Sequence, residues 1–166
     1  MKVNIALLTV TDTRTIDNDK SGAILVKKIE EAKHNLIDRK ICKDNKDEIV
    51  VILKNWLQNN QIDVIITTGG TGLTGRDITP EALDVIADKH IPGFGEIFRY
   101  LSLKTVGTSS IQSRACAVLA KGKYIFALPG SSGGVTDAWE GILKHQLDIN
   151  HKPCNFVELF PRLKEK

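Results

Sequence analysis

The residues best placed to do chemistry cluster in one stretch, Val64-Ile65-Ile66-Thr67-Thr68-Gly69-Gly70-Thr71-Gly72-Leu73-Thr74-Gly75-Arg76-Asp77-Ile78-Thr79-Pro80-Glu81. Four glycines fall within the seven residues from Gly69 to Gly75, and Arg76 and Asp77 follow directly. Glycine-rich backbone leaves N–H groups free to grip phosphate oxygens, and a helix N-terminus just beyond adds its positive dipole end. Thr67, Thr68 and Thr71 offer hydroxyls, Arg76 a cation for an anion, and Asp77 a carboxylate. Magnesium commonly takes one or two carboxylates together with substrate phosphates. Asp77 is therefore a candidate Mg²⁺ ligand, and Asp44, in the turn after a neighbouring strand, is the candidate second carboxylate. Capping of loop N–H groups, which aspartate often does, is the structural alternative for Asp77. For Asp44 alone the two readings are evenly matched.

Two familiar phosphate motifs fail on their own requirements. Gly70 to Gly75 reads G-x-G-x-x-G after a strand, but the third glycine of a dinucleotide fingerprint should pack a helix already begun. Here Arg76 to Thr79 delay the helix until Pro80, and no strand ending in an acid follows at the required distance. The G-x-x-x-x-G spacing of a P-loop is also present, yet Arg76 and Asp77 stand where lysine and a hydroxyl should. A second glycine loop, Pro129-Gly130-Ser131-Ser132-Gly133-Gly134, also precedes a helix and could serve a second phosphate-bearing group.

The elements that must position these loops are legible as periodicity. Val3 to Val10, Asp63 to Thr68 and Tyr124 to Leu128 read as buried strands, and Leu36 to Cys42 as a weaker one that Asp38, Arg39 and Lys40 interrupt. Helices are predicted from Asp19 or Ser21 to about His34, over Asp47 to Asn59, Pro80 to Lys89, Phe94 to Val106, Ile111 to Ala120 and about Val135 to Leu147. Thr79 is the predicted N-cap of the third, with Pro80 in its first turn. Lys121-Gly122 reads as a helix C-cap, and Phe156 to Leu159 as a possible edge strand. The order predicts a single domain over residues 1–166 with a three-layer α/β/α, mostly parallel, doubly wound sheet. Right-handed crossovers then bring four loops to one edge: Thr11 to Asp19, Lys43 to Asn45, Gly69 to Asp77 and Pro129 to Gly134. The helix from Phe94 to Val106 carries Phe94, Ile97, Phe98, Tyr100 and Leu101, more apolar surface than one buried face needs. A subunit contact and full burial are both compatible with that.

Composition narrows the partners. A net charge of +3 on 166 residues, with lysines spread rather than clustered, argues against nucleic acid and membrane surfaces. Three cysteines (Cys42, Cys116, Cys154) form no metal-binding spacing and read as reduced thiols of a cytoplasmic protein. No Ser-His-Asp or Cys-His nucleophile arrangement is apparent.

The longer motif Thr68-Gly69-Gly70-Thr71-Gly72-Leu73 through Asp77-Ile78-Thr79-Pro80-Glu81-Ala82 resembles the signature of the MoaB/MogA family of molybdenum cofactor biosynthesis proteins. Pro92-Gly93-Phe94-Gly95-Glu96-Ile97-Phe98-Arg99, Gly107-Thr108-Ser109 with Ser113-Arg114-Ala115, Leu128-Pro129-Gly130-Ser131 and His145-Gln146-Leu147-Asp148 recur in family order. Pro129-Gly130-Ser131 and Pro153-Cys154-Asn155-Phe156 resemble the MoaB branch, and Ser132 stands where MogA-like members tend to carry a proline. The resemblance implies trimers or hexamers, binding of molybdopterin, and, for MogA-type members, transfer of AMP from ATP to the terminal phosphate of molybdopterin with release of pyrophosphate. It implies that Asp77 and Asp44 are the catalytic carboxylates and hold Mg²⁺. Thr11, Asp12 and Thr13 would lie near the nucleotide. Thr68, Gly69, Gly70, Thr71, Gly72, Pro129, Gly130 and Ser131 would bind pterin and phosphate, with Arg14 and Arg76 as secondary anion contacts. A non-catalytic molybdopterin-binding or scaffold role in the same pathway is the alternative.

Overall fold

Near-continuous apolar runs dictate a sheet buried on both faces, and the computed structural model, which describes residues 1–165, has one. Six strands run β1 (Asn4–Val10), β2 (Asn35–Cys42), β3 (Val64–Thr68), β4 (Lys89–His90), β5 (Cys116–Ala120) and β6 (Lys123–Leu128). Their order across the sheet is β2-β1-β3-β6-β5-β4. The first four are parallel, while β5 is antiparallel to β6 and β4 to β5.

Helices cover both faces. On β1, Ile5 and Leu7 point one way and Ala6, Leu8 and Val10 the other, the period of two expected for a strand. One face packs against α1 (Lys20–Glu31), α4 (Pro92–Val106) and α5 (Ser132–Ala138), through Leu25, Ile29, Phe94, Phe98, Val135 and Ala138. The opposite face packs against α2 (Lys46–Gln58) and α3 (Thr79–Ile86), through Ile49, Leu53, Trp56, Ala82 and Leu83. Trp56 is core, with its indole N–H donating to Asp38 Oδ2 at 2.9 Å. After α5 the helix widens to a π turn over Trp139–Leu143 and closes with α6 (Lys144–Gln146). No helix among the described residues is long and apolar enough to cross a membrane.

Three sequence expectations are corrected. The helix predicted over Ile111 to Ala120 is instead a 3₁₀ turn, Gly107–Gln112, followed by β5. Alanines at 115, 117 and 120 favour helix locally, but pairing with β6 buries this run, and tertiary context overrides propensity. Lys121-Gly122 is consequently the hairpin turn, with φ of 48° and 74°, the two positive values that a tight two-residue connection needs. The tail forms a 3₁₀ turn over Val157–Arg162, with Pro161 inside it, and not an edge strand. Smaller differences lie at element ends: α1 stops at Glu31, and α3 stops at Ile86, so Lys89 and His90 can form β4.

The helix α4 is divided between core and surface. Phe94 and Phe98 are buried, whereas Ile97 is 51% and Tyr100 61% exposed, with Leu103 and Val106 also exposed.

At the base of β1, Val3 N–H donates to His34 Nδ1 at 3.2 Å, so the imidazole must be neutral at that nitrogen. Burial lowers the His34 pKa, with the N-terminal amine acting in the same direction and Asp148 opposing. A base whose folded pKa lies below its unfolded value binds fewer protons in the native state, so this contribution is full above about pH 6.5 and is lost as pH falls. We expect the urea midpoint of the wild type to decline on acidification from pH 7.5 to 5. His34→Gln, which keeps an acceptor but does not titrate, should flatten that decline.

Candidate active site

The carboxyl ends of the central strands lie in register: Val10 opposite Cys42, Thr9 opposite Thr68, and Thr68 opposite Leu128. The chain reverses its winding direction between β1 and β3, the switch point at which open α/β sheets bind ligands. All four predicted loops contribute to one cleft there.

The glycine loop is shaped by close approaches that no side chain would survive. Gly69 has φ of 104°, and a Cβ there would meet the Val10 carbonyl oxygen at 2.1 Å. Gly70 has φ of 67°, and its Cβ would meet Thr79 Oγ1 at 2.4 Å and Asp44 Oδ1 at 3.2 Å. Thr79 is not the N-cap: it is the first residue of α3, and its hydroxyl donates back to the Gly69 carbonyl at 2.9 Å. Thr68, buried at the strand end, donates to the Pro129 carbonyl at 2.8 Å and so ties the first glycine loop to the second. Thr67 departs from expectation: it points to the opposite face of the sheet, and its hydroxyl is buried without a partner.

The carboxylates divide by environment. Burial alone would raise the Asp77 carboxyl, but the Thr74 hydroxyl and the Gly72 and Thr74 backbone N–H groups outweigh it and hold the pKa below the usual range. Its Oδ2 accepts from Thr74 N–H at 2.9 Å and Thr74 Oγ1 at 2.7 Å. Asp77 thus caps the loop as well as facing the cleft. Asp44 is the opposite case: burial raises its pKa, the charges of Asp12 and Asp77 raise it further, and Arg76 opposes them. Asp12 does not line the cleft. Its carboxylate receives Arg76 Nε at 2.9 Å and Nη2 at 3.0 Å, and it also accepts the Asp44 backbone N–H at 3.1 Å. The Arg76 contact holds the Asp12 carboxyl below its usual pKa. Arg76 therefore bridges two loops while it also lines the cleft.

On the second loop, Arg14 Nη1 donates to the Gly130 carbonyl at 3.1 Å and lies 3.4 Å from Ser21 Oγ. Ser131 caps α5 by accepting Gly134 N–H at 3.1 Å. Thr11, Thr13, Gly72, Pro129, Gly130 and Ser131 all line the cleft with Asp44 and Asp77. No histidine or cysteine lines it among the described residues. Burial pushes the Cys42 thiol up to about 12 and the Cys116 thiol up to about 11, so neither is a thiolate nucleophile.

Two groups of residues escaped the sequence reading. Arg114 lies beside the glycine loop and holds it: Nε donates to the Gly72 carbonyl at 2.7 Å, Nη2 to the Asp77 carbonyl at 3.0 Å, and Nη1 to Glu81. Its own backbone N–H donates to the Thr71 carbonyl at 2.8 Å. The signal was the Ser113-Arg114-Ala115 motif, which names the residue but not its target. The second group is a buried polar knot behind the cleft, built on Asp19, which the sequence offered only as a helix start. Asp19, 1% exposed, caps α1 through Gly22 N–H at 2.9 Å, accepts the Thr9 hydroxyl at 2.6 Å and pairs with Arg39 at 3.0 Å. Thr9 and Ser21, which both contact this carboxylate, line the cleft.

A family model described as a probable molybdopterin binding domain matches residues 6–149. The chain is 44% identical over 161 residues to molybdenum cofactor biosynthesis protein B of Escherichia coli K12, a match covering 97% of this chain and 93% of that protein. Among solved structures, a crystal structure of a molybdenum cofactor biosynthesis protein B aligns with a TM-score of 0.89 at 35% identity, covering 100% of this chain and 98% of the other. A tungsten cofactor synthesizing protein MoaB from Pyrococcus furiosus aligns with a TM-score of 0.78 at 33% identity, covering 87% and 92%. With these matches over nearly its whole length, the chain belongs to the MoaB/MogA family of molybdenum cofactor biosynthesis proteins, on its MoaB side.

Proposed function

We propose that the cleft binds molybdopterin and transfers AMP from ATP to its terminal phosphate, releasing pyrophosphate. The observation that carries this reading is the pairing of a bare-backbone glycine loop with two carboxylates from separate loops, Asp44 above Gly70 and Asp77 above Gly72. An oxygen of the molybdopterin phosphate forms a new bond to the α-phosphorus of ATP. The bond from that phosphorus to the bridging oxygen breaks, and the electron pair leaves with pyrophosphate. The nucleophile comes from the substrate, in keeping with a cleft that offers neither histidine nor cysteine.

Both substrates are anions, so the protein must offset their repulsion. Backbone N–H groups of Gly70 and Thr71, in a loop that Arg114 holds by its carbonyls, can bind phosphate oxygens without reorganising. The donor set also fits Mg²⁺: beyond burial, the charges of Asp12 and Asp77 raise the Asp44 carboxyl, which marks a place where positive charge is favoured. No group of three or more His, Cys, Asp or Glu residues that could hold a metal occurs among the described residues. A site of two carboxylates with substrate phosphates and water is the composition Mg²⁺ prefers over an all-protein cage. Bound by Asp44 and Asp77, Mg²⁺ supplies charge neutralisation for the phosphates and the departing pyrophosphate. One observation favours binding without turnover: Asp77 Oδ2 is already occupied by Thr74.

We further propose that the protein assembles as a homo-oligomer, a trimer or hexamer, through the exposed Ile97, Tyr100 and Leu103 of α4. Cytoplasmic location completes this reading and rests on the three thiols, free in the structure.

Three measurements test these proposals. With molybdopterin and Mg²⁺–ATP, wild-type protein should release pyrophosphate, and Asp77→Asn or Asp44→Asn should slow it roughly a hundredfold or more while molybdopterin still binds. Wild-type protein that binds molybdopterin but releases no pyrophosphate would leave only the binding role. Arg114→Lys keeps the charge but loses the fork, so turnover should drop with a loss of stability of about 1–3 kcal/mol. An unchanged rate would show that the loop does not depend on this clamp. In light scattering, Ile97→Asp with Tyr100→Ser should dissociate the oligomer, and a monomeric wild type would reject the assembly.

A further inference from the structure

The polar groups of the cleft are unevenly distributed. Asp44 lies at the exit of β2, while the second glycine loop leaves β6 three strands away, roughly 14 Å at the usual strand spacing. Asp44, Asp77 and the glycine loop after β3 lie toward the first end, and Thr68 ties that loop to the second one through the Pro129 carbonyl. The far end lies between α4 and α5, and there the lining is Phe98, Ser102, Thr105 and Asp137. Phe98 is 1% and Ser102 5% exposed, so one boundary of this end is fixed by packed groups, one of them aromatic.

Asp137 lies on α5, apart from the Asp44 and Asp77 pair that Mg²⁺ would neutralise, and a lone carboxylate repels phosphate. It is also only partly used. Thr105 Oγ1 lies 3.0 Å from Asp137 Oδ2 and 3.1 Å from the Ser102 carbonyl, and its one proton can serve only one of them. Asp137 Oδ1 has no hydrogen-bond donor among the described residues. A carboxylate that lines the cleft with open acceptor sites can receive a ligand that brings N–H donors.

We infer that Asp137 is a specificity-determining residue that reads the 2-amino-4-oxo edge of the pterin. This rests on the molybdopterin reading of the cleft. That edge presents two adjacent donors, the ring N3–H and the 2-amino group, spaced for the two oxygens of one carboxylate. The adenine of ATP presents a donor beside an acceptor on the equivalent edge, and the acceptor faces carboxylate repulsion. Asp137 therefore sends the pterin to the α4–α5 end and keeps adenine out of it, while the phosphates go to the glycine loop. The two substrates are sorted by the charge of what each end of the cleft offers.

The test uses calorimetric titration of the full chain with 6-hydroxymethylpterin and with 6-hydroxymethyllumazine, which carries a carbonyl in place of the 2-amino group. Wild-type protein should prefer the pterin about tenfold or more, since a site built around hydrogen bonds rejects an analogue that leaves them unmade. Asp137→Asn, which offers one donor and one acceptor, should lose that preference or invert it toward the lumazine. Asp137→Glu should restore it in part. The ratio is internal to each variant, so a general loss of affinity cannot imitate the effect. Equal preference in wild type and Asp137→Asn overturns the inference. Titration with molybdopterin separates the two levels. Wild-type binding with an unchanged Asp137→Asn preference refutes only the role of Asp137, whereas no wild-type binding removes the molybdopterin reading with it.

Discussion

The guanidinium of Arg114 is the constraint on which the cleft depends. A glycine loop is permissive by nature: the residues that let the backbone approach a phosphate also let it wander. Arg114 removes that freedom by donating to the carbonyls of Gly72 and Asp77 and to the Glu81 carboxylate, while its backbone N–H takes the Thr71 carbonyl. With those oxygens turned toward the arginine, the loop is fixed on its carbonyl side, and the carboxylate of Asp77 is set relative to the start of α3. A planar fork with several donors can do this, whereas a lysine point charge cannot. The arginine itself is anchored at the entrance to β5, so the antiparallel half of the sheet is a support for the parallel half.

A second support acts from behind. Asp19 is buried, yet it has a cation, a hydroxyl and a backbone N–H as partners, which makes its burial tolerable. Through Thr9 it fixes the end of β1, and through Gly22 the start of α1. Its pKa is set by burial, which raises it, against the stronger combined pull of Thr9, Gly22 and Arg39, which lowers it. The cleft is thus backed by groups that are already satisfied, and three carboxylates, Asp44, Asp77 and Asp137, face into it.

What could be read from the sequence was what depends on neighbours in the chain. The glycine loop, the apolar runs of β1, β3 and β6, and the placing of Asp44 and Asp77 after strands are local patterns, and the structure brings those loop residues to one cleft. The strand β5 was hidden because its alanines speak for helix, and only its partner β6 decides otherwise. Arg114 was hidden because its targets lie 33 to 42 residues away in the chain. Asp137 was hidden because a single acid in a helix says nothing of which cavity that helix borders. Asp12 and Arg76 were visible as charges, but their mutual pairing belongs to the folded state.

The residues that weakened the sequence reading of β2 have a use at the level of the whole sheet. Asp38, Arg39 and Lys40 sit on a strand whose outer side is unpaired, because β2 ends the sheet. An open strand edge is a template for another molecule's strand, and charge on it discourages that pairing. At the other end β4 is two residues long, Lys89 and His90, too short to template an extended ladder. Both rims are therefore poor seeds for cross-strand aggregation. A contact between copies, were one to form, is thereby steered toward helical faces, where side chains and not backbone hydrogen bonds choose the partner.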